Sequence, residues 1–149
     1  MEYKIQTLNK PAKPRILIAD DDSLIRQFVC SVIKSEGYEV VVAENGRQTL
    51  RILQTDTNFK GAIFDMLLPC IQAIDIIRYM RTEKRYMRIL AMMITSEHDN
   101  QVVSKIFAAG ATLFLQKPFT QTQLKSMLHL LVSQSIGSNL HSYSSHGGL

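Results

Sequence analysis

The sequence predicts an α/β protein in which five parallel strands form one doubly wound sheet covered by five helices. Two patterns lead to this prediction. Short apolar runs alternate along the chain with longer segments whose apolar residues recur at helical spacing. The apolar runs are continuous rather than interrupted by polar residues, which is typical of strands with both faces buried. Regular alternation of strands and helices favours parallel pairing, with a helix in each connection.

Each predicted strand is a short apolar or β-branched run. In chain order, the strands are expected at Arg15–Ala19, Tyr38–Val42, Ala62–Phe64, Ile89–Ile94 and Leu113–Leu115. The first run leads directly into Asp20 and the third into Asp65, so acidic residues stand at the carboxyl ends of two strands.

The helices are predicted from apolar spacing together with residues that commonly begin or end a helix. The first three are expected from about Leu24 to a stop at Gly37, from Asn45-Gly46 to about Leu53, and around Ile74 and Met80. The last two are expected to begin with capping boxes, one running from Ser96 with Asp99 to Gly110 and the other from Thr120 with Gln123 to Val132. Asp22 is expected to cap the first helix. Beyond about Ser133 the chain becomes rich in Ser, Gly and His. We therefore expect an N-terminal extension (residues 1–14), one folded domain (residues 15–134) and a flexible tail (residues 135–149).

Composition and charge limit the functional classes. The chain of 149 residues is 46% hydrophobic and 20% charged, which fits one soluble globular domain. No apolar run is long enough to span a bilayer, and two cysteines are too few for a disulfide framework, so we expect a cytoplasmic protein without membrane contact. The net charge of +4 comes partly from a basic stretch between Arg78 and Arg88. Such stretches are usually solvated faces, and without a nucleic-acid motif we do not expect a nucleic-acid partner.

Polar residues stand at the carboxyl ends of four predicted strands, where a doubly wound sheet binds its ligands. Asp20 and Asp21 follow the first strand, Asp65 the third, Thr95 the fourth and Lys117 the fifth. Gathered carboxylates repel one another, so a site that collects them needs a cation, and Mg²⁺ suits carboxylate oxygens. The lysine and the hydroxyl suit the oxygens of an incoming phosphoryl group.

Four stretches at predicted strand ends resemble the receiver domain of two-component response regulators, in particular the chemotaxis-type regulators that consist of one domain. The matching stretches are Ile16–Asp22, Ile63–Pro69, Met93–Ser96 and Gln116–Thr120. The resemblance extends from about Arg15 to Val132. It implies the flavodoxin-like strand order 2-1-3-4-5 and a cis peptide bond between Lys117 and Pro118.

The resemblance also implies how the polar residues act. Asp65 would be the phosphoacceptor, and Thr95 and Lys117 would bind the phosphoryl group after transfer. Mg²⁺ would be held by oxygen ligands, namely the carboxylates of Asp20, Asp21 and Asp65 and the backbone carbonyl of Leu67. Thr95 and Phe114 would form a switch that couples phosphorylation to an output surface.

By the same resemblance, the protein is not an enzyme but a switch that receives its phosphoryl group from a histidine kinase or a histidine phosphotransfer protein. The output target is expected to be a protein that binds the face formed by the fourth helix, the fifth strand and the fifth helix. Phe114 has no hydroxyl for a hydrogen-bonded switch, and a role as a plain core residue stays open beside the switch role.

Departures from the family pattern leave alternatives open. Gln72-Ala73 stands where the family usually has Asp-Gly, which keeps open a receiver-like binding module that is not phosphorylated. Asp20-x-Asp22 superficially matches haloacid dehalogenase-type phosphatases, but those normally have Thr or Val where Leu24 stands. A bulky Leu67 beside the phosphorylation site predicts slow dephosphorylation, because it would obstruct an attacking water.

Overall fold

The computed structural model describes residues 12–136, which contain one five-stranded sheet. Its strands are β1 Arg15–Ala19, β2 Glu39–Ala43, β3 Gly61–Asp65, β4 Leu90–Thr95 and β5 Leu113–Gln116. All neighbouring strands are parallel, and the strand order is β2-β1-β3-β4-β5. The predicted fold class and strand order are confirmed.

Helices alternate with the strands, as predicted. Within the described residues they are α1 Ser23–Ser35, α2 Gly46–Thr55, α3 Ala73–Met80, α4 Asn100–Ala109 and α5 Gln121–Ile136, with a 3₁₀ turn at Lys84–Tyr86. No helix between residues 12 and 136 combines the length and the apolarity that crossing a membrane requires.

The last helix continues past the boundary that the sequence predicted at residue 134. It is described as far as Ile136, and the predicted division into a folded domain and a tail stays a prediction. The rest of the predicted tail, and residues 1–11 of the predicted extension, lie outside the described residues.

Side-chain caps fix the beginnings of two helices as predicted. The Asp22 carboxylate accepts hydrogen bonds from the amides of Leu24 (3.0 Å) and Ile25 (3.2 Å), so it caps α1. Thr120 and Gln123 form a capping box at α5. The Thr120 amide donates to the Gln123 side chain, and the Gln123 amide donates to the Thr120 hydroxyl.

The predicted start of α4 is wrong. Asp99, not Ser96, is the N-cap, because its carboxylate accepts from the amide of Gln101 and the helix begins at Asn100. The preceding segment is held by other contacts, among them a hydrogen bond from the Asp99 amide to the Glu97 carboxylate (3.3 Å). Serine and aspartate are both frequent N-caps, so spacing alone selected the wrong one.

Alternate residues of each strand face opposite sides of the sheet and build two core layers. On β1, Leu17 and Ala19 pack toward α2, α3 and α4, whereas Ile16 and Ile18 pack toward α1 and α5. The central strands are therefore buried on both faces, as their continuous apolar runs predicted. Helices cover both faces, so polar groups reach solvent at the ends of these strands.

One residue of the basic stretch is structural. The guanidinium of Arg81 donates to the backbone carbonyls of Gly110 (3.0 Å), Tyr86 (3.3 Å) and Ile89 (2.9 Å). These bonds tie the end of α3 to the 3₁₀ turn and to the end of α4. The interpretation of the whole stretch as a solvated face is wrong for Arg81, although it fits the exposed Arg88.

Candidate functional site

Three carboxylates converge at the carboxyl end of the sheet. Asp20 and Asp21 follow β1 directly, and Asp65 is the last residue of the neighbouring β3. The two strands pair at Ala19 and Phe64, which places Asp20 beside Asp65. One carboxylate oxygen from each aspartate lies within 4.8 Å of the other two. Asp20 and Asp65 are buried whereas Asp21 is exposed, so the cluster opens to solvent on one side.

The Asp20 carboxyl lies in a position that disfavours its charged form. Burial, and to a smaller extent the Asp65 carboxylate, raise the pKa of Asp20 to about 6. The Asp22 amide, which donates to Asp20 Oδ1 at 2.9 Å, and the Lys117 ammonium oppose this rise. A cation between the three carboxylates would offset their repulsion. A donor set made of carboxylate oxygens fits a hard divalent ion such as Mg²⁺.

Lys117 supplies the positive charge that the sequence predicted for the site. It follows β5, and its Nζ lies 3.3 Å from Asp65 Oδ1. The Lys117 amide donates to the Thr95 carbonyl at 2.8 Å, which holds the segment after β5 against the end of β4. The peptide bond between Lys117 and Pro118 is cis, as predicted. Both partners of the ion pair are largely buried, so salt screens this pair less than a surface pair.

Thr95 is the last residue of β4, which neighbours β3, and it is buried. Its hydroxyl accepts a hydrogen bond from the Glu97 amide (2.9 Å) and donates one to the sulfur of Met66 (3.2 Å). Met66 was not predicted as a site residue, although its position directly after Asp65 was a signal. A cavity of about 160 Å³ at this point is lined by Asp65, Met66, Leu67, Thr95, Ser96, Glu97 and Lys117.

Comparison with known proteins agrees with this arrangement of acids, hydroxyl and lysine. The sequence profile of the response regulator receiver domain matches residues 16–129, which is most of the chain. The chain belongs to the response regulator receiver family. Receiver domains are signalling modules of two-component systems, and the acidic site is consistent with aspartate phosphorylation and Mg²⁺.

This receiver is similar to proteins of two different lengths. Chemotaxis protein CheY1 of Helicobacter pylori is 29% identical over 119 residues, which cover 79% of this chain and 96% of CheY1. A probable transcriptional regulatory protein of Picosynechococcus is 30% identical over 126 residues, which cover 80% of this chain and 49% of that protein. The receiver thus spans about half the length of the second relative. Among solved structures, the chemotaxis response regulator CheY4 of Vibrio cholerae has a TM-score of 0.75 at 29% identity, covering 80% of this chain and 99% of that one.

The β3–α3 loop is where this receiver departs from the family pattern. The Gly46 amide donates to the Pro69 carbonyl at 3.0 Å, which ties the loop to the start of α2. Leu67 is 66% exposed at the edge of the cavity, and the role of its carbonyl as a metal ligand stays a prediction. Gln72 occupies the N-cap of α3 without a side-chain cap bond, and Ala73 is fully buried. The departure therefore removes a helix cap but keeps a small residue where α3 meets the core.

Phe114 of the receiver lies between the core and the surface. It is half-buried and packs edge-on against Phe107 of α4, with ring centroids 5.7 Å apart. The ring also contacts the core layer under α2, α3 and α4. This position connects β5 with α4, two elements of the predicted output face, whereas the role of Phe114 in switching stays a prediction.

Asp22 does not join the carboxylate cluster found among residues 12–136. Its side chain caps α1 through the amides of Leu24 and Ile25 instead. The match of Asp20-x-Asp22 to the phosphatase pattern therefore lacks its second acid at the site.

Proposed function

We propose that this receiver accepts a phosphoryl group on Asp65 from a histidine kinase or a histidine phosphotransfer protein, with Mg²⁺ bound beside it. The observation that carries the proposal is the convergence of Asp20, Asp21 and Asp65 with Lys117 at one open edge of the sheet. Receiver domains accept phosphoryl groups from histidine kinases, and the family membership supports the same role for this chain.

In the proposed reaction, an Asp65 carboxylate oxygen attacks the phosphorus of a phosphohistidine in line with its bond to nitrogen. The new P–O bond forms as the P–N bond breaks, and the electron pair of the P–N bond stays on the imidazole nitrogen. The imidazole takes one proton from solvent and leaves as neutral histidine. The product on this chain is an acyl phosphate at Asp65.

The neighbouring groups hold the reacting oxygens in place. The three aspartates and the Leu67 carbonyl would bind Mg²⁺, which would offset negative charge on the phosphoryl oxygens. The Lys117 ammonium pairs with Asp65 at 3.3 Å before transfer and donates to a phosphoryl oxygen afterwards. The Thr95 hydroxyl supplies a neutral donor from the end of β4. Lys117 is in place before transfer, whereas the Thr95 hydroxyl turns to the phosphoryl group as negative charge arrives at Asp65.

We propose that Thr95 and Phe114 couple this step to a protein-binding face made by α4, β5 and α5. Thr95 turns toward the phosphoryl group, and the Phe114 ring moves inward from its contact with Phe107. Phe107 is 43% exposed, so this movement changes a side chain that a partner can touch. Phosphorylation shifts the equilibrium because the phosphoryl group makes different contacts in the two states.

Incubation with Mg²⁺ and acetyl phosphate, followed by intact-mass measurement, tests the proposal. We expect one phosphoryl group per chain in the wild type, and none in Asp65→Asn or after a chelator removes Mg²⁺. Asp22→Asn is the matched control, because it removes the same charge outside the carboxylate cluster and should be phosphorylated normally.

Two other outcomes would contradict the proposal. An unchanged mass with both acetyl phosphate and a phosphorylated histidine kinase would favour a receiver-like binding module that is not phosphorylated. Repeated turnover of a phosphatase substrate other than acetyl phosphate would favour a phosphatase, since a receiver forms a stoichiometric acyl phosphate.

A further inference from the structure

The Thr95 hydroxyl has a thioether sulfur as its hydrogen-bond acceptor. Met66 directly follows β3, and its amide donates to the Ile94 carbonyl at 2.9 Å, so it extends the pairing of β3 with β4. Its side chain thereby lies beside Thr95, whose hydroxyl donates to Met66 Sδ at 3.2 Å. The same hydroxyl oxygen accepts from the Glu97 amide at 2.9 Å. The single proton of the hydroxyl is therefore committed to the sulfur.

This contact is one that a stronger acceptor can displace. A thioether is a weak acceptor, whereas hydrogen bonds to an anionic oxygen are about twice as strong as neutral ones. Thr95 is 3% exposed, so almost all of its surface is covered by protein. Asp65, Met66 and Thr95 line one cavity, which gives an incoming phosphoryl group access to the hydroxyl. The hydroxyl thus keeps a weak partner until negative charge arrives at Asp65.

We propose that Met66 is a positioning residue whose sulfur holds the Thr95 hydroxyl in the unphosphorylated protein and thereby sets how readily the switch responds. The inference rests on the proposed function, because it assumes that Thr95 turns to a phosphoryl group on Asp65. Leucine at this position fills a similar volume without accepting a hydrogen bond. Glutamine has a similar length and accepts more strongly through its amide oxygen. The two substitutions therefore change the response in opposite directions.

Beryllium fluoride with Mg²⁺, which mimics an acyl phosphate on an aspartate, is a reversible probe of this response. Titration followed by the NMR signal of the Thr95 methyl group gives an apparent dissociation constant for each variant. Loss of one neutral hydrogen bond from the unliganded state should tighten binding by about two- to tenfold in Met66→Leu. Met66→Gln should weaken binding, since its stronger acceptor must also be displaced. Unchanged binding in both variants would overturn the proposal.

Thr95→Val is the control that separates positioning from packing, because valine keeps the branched shape, lacks the hydroxyl, and has methyl groups whose NMR signals report the same titration. If Met66 acts through that hydroxyl, Met66→Leu will leave binding unchanged in the Thr95→Val background. An equal fold-change with and without the hydroxyl would assign Met66 a packing role only, and the proposal would be wrong.

The unliganded protein provides a test that does not depend on phosphorylation. Three-bond couplings to the Thr95 methyl carbon report the rotamer populations of this side chain. We expect one dominant rotamer in the wild type and a mixture in Met66→Leu. The same single rotamer in both would contradict the inference. Failure of beryllium fluoride to bind the wild type would refute the proposed function instead, and the rotamer measurement would still decide the role of Met66.

Discussion

Asp20→Asn is expected to make the metal-free protein more stable at neutral pH while removing its response to Mg²⁺. Burial, together with the Asp65 carboxylate, raises the pKa of Asp20 from 3.8 to about 6, so the charged form is disfavoured in the folded protein. Asparagine keeps the shape of the side chain. Its carbonyl oxygen can accept the hydrogen bond that the Asp22 amide now donates to Asp20 Oδ1 at 2.9 Å. The substitution thus removes a charge and keeps the local hydrogen bond.

The difference between the pKa of Asp20 in the folded and unfolded protein sets both the size and the pH dependence of the stability gain in Asp20→Asn. The pKa of Asp20 is higher in the folded protein than in the unfolded chain. The charged carboxylate therefore destabilises the folded protein, and this destabilisation is absent below about pH 3.8 and complete above about pH 6. A rise of about two pKa units corresponds to about 3 kcal/mol. The cluster opens to solvent at Asp21, which screens the charge, so we expect a gain of about 1–2 kcal/mol in the variant at neutral pH.

Urea unfolding with a chelator present, at about pH 4 and about pH 7.5, measures this gain. The free energies of unfolding should be similar at the lower pH, and the variant should be more stable at the higher pH. Added Mg²⁺ should stabilise the wild type, because a ligand that binds only the folded state raises its stability, and it should leave the variant nearly unchanged. Asp22→Asn is the charge-matched control, and its stability should barely change because Asn caps a helix about as well as Asp.

Two results would refute this reasoning. A variant less stable than the wild type in the chelator at neutral pH would mean that the Asp20 charge is favourable in the folded protein. An undiminished gain of stability on adding Mg²⁺ to the variant would mean that Asp20 is not needed to hold the ion.

Four further substitutions test the β3–α3 loop, its contact with α2, and the contacts of Arg81 at the end of α3. Gly46→Ala should lower the free energy of unfolding in urea by about 1–3 kcal/mol, because a Cβ there would collide with the Ile71 carbonyl; an unchanged value would contradict this. Arg81→Lys should cost about 1.5–3 kcal/mol in the same assay, since lysine cannot reproduce three carbonyl bonds, and a neutral result would make those bonds dispensable. Gln72→Asp should add about 0.5–2 kcal/mol by supplying the missing cap of α3, whereas a loss would show that the loop opposes capping. Leu67→Asn should shorten the lifetime of the phosphorylated state, followed by intact mass, because it removes apolar bulk beside Asp65; a longer lifetime would rule out the obstruction of water.

The sheet and the acidic cluster could be predicted because both follow from positions along strands. A parallel sheet gathers the carboxyl ends of its strands at one edge, so Asp20, Asp65 and Lys117 were expected at the same edge once the apolar runs were recognised as strands. The strand order that the resemblance implied then predicted that they lie close together. Contacts between side chains of different elements carry no such periodic pattern. Met66 was not predicted as a site residue, because its contact with Thr95 joins two strands that are far apart in the sequence.

The roles of charged residues could be predicted only where a strand end fixed their position. Arg81 belongs to a run of basic residues that are otherwise exposed, and nothing in its local sequence indicates that its guanidinium reaches the Gly110 carbonyl. Capping residues show the same limit, since Ser96 and Asp99 are chemically suitable N-caps. In the segment before α4 the Glu97 carboxylate accepts from the Asp99 amide, a contact that the spacing of N-cap residues does not reveal.

The departures from the family pattern lie in the β3–α3 loop, which directly follows the proposed phosphorylation site at Asp65. The acids and Lys117 stand at strand ends. In the proposed function, three of the four Mg²⁺ ligands and the lysine that meets the phosphoryl group therefore come from the sheet. The proposed lifetime of the acyl phosphate depends on whether water reaches it, and the proposed response depends on how Thr95 is held. Leu67 and Met66 line the cavity at these two points. In the proposed function, the strands thus determine whether this receiver accepts a phosphoryl group, and the loop after Asp65 determines how long and how strongly it responds.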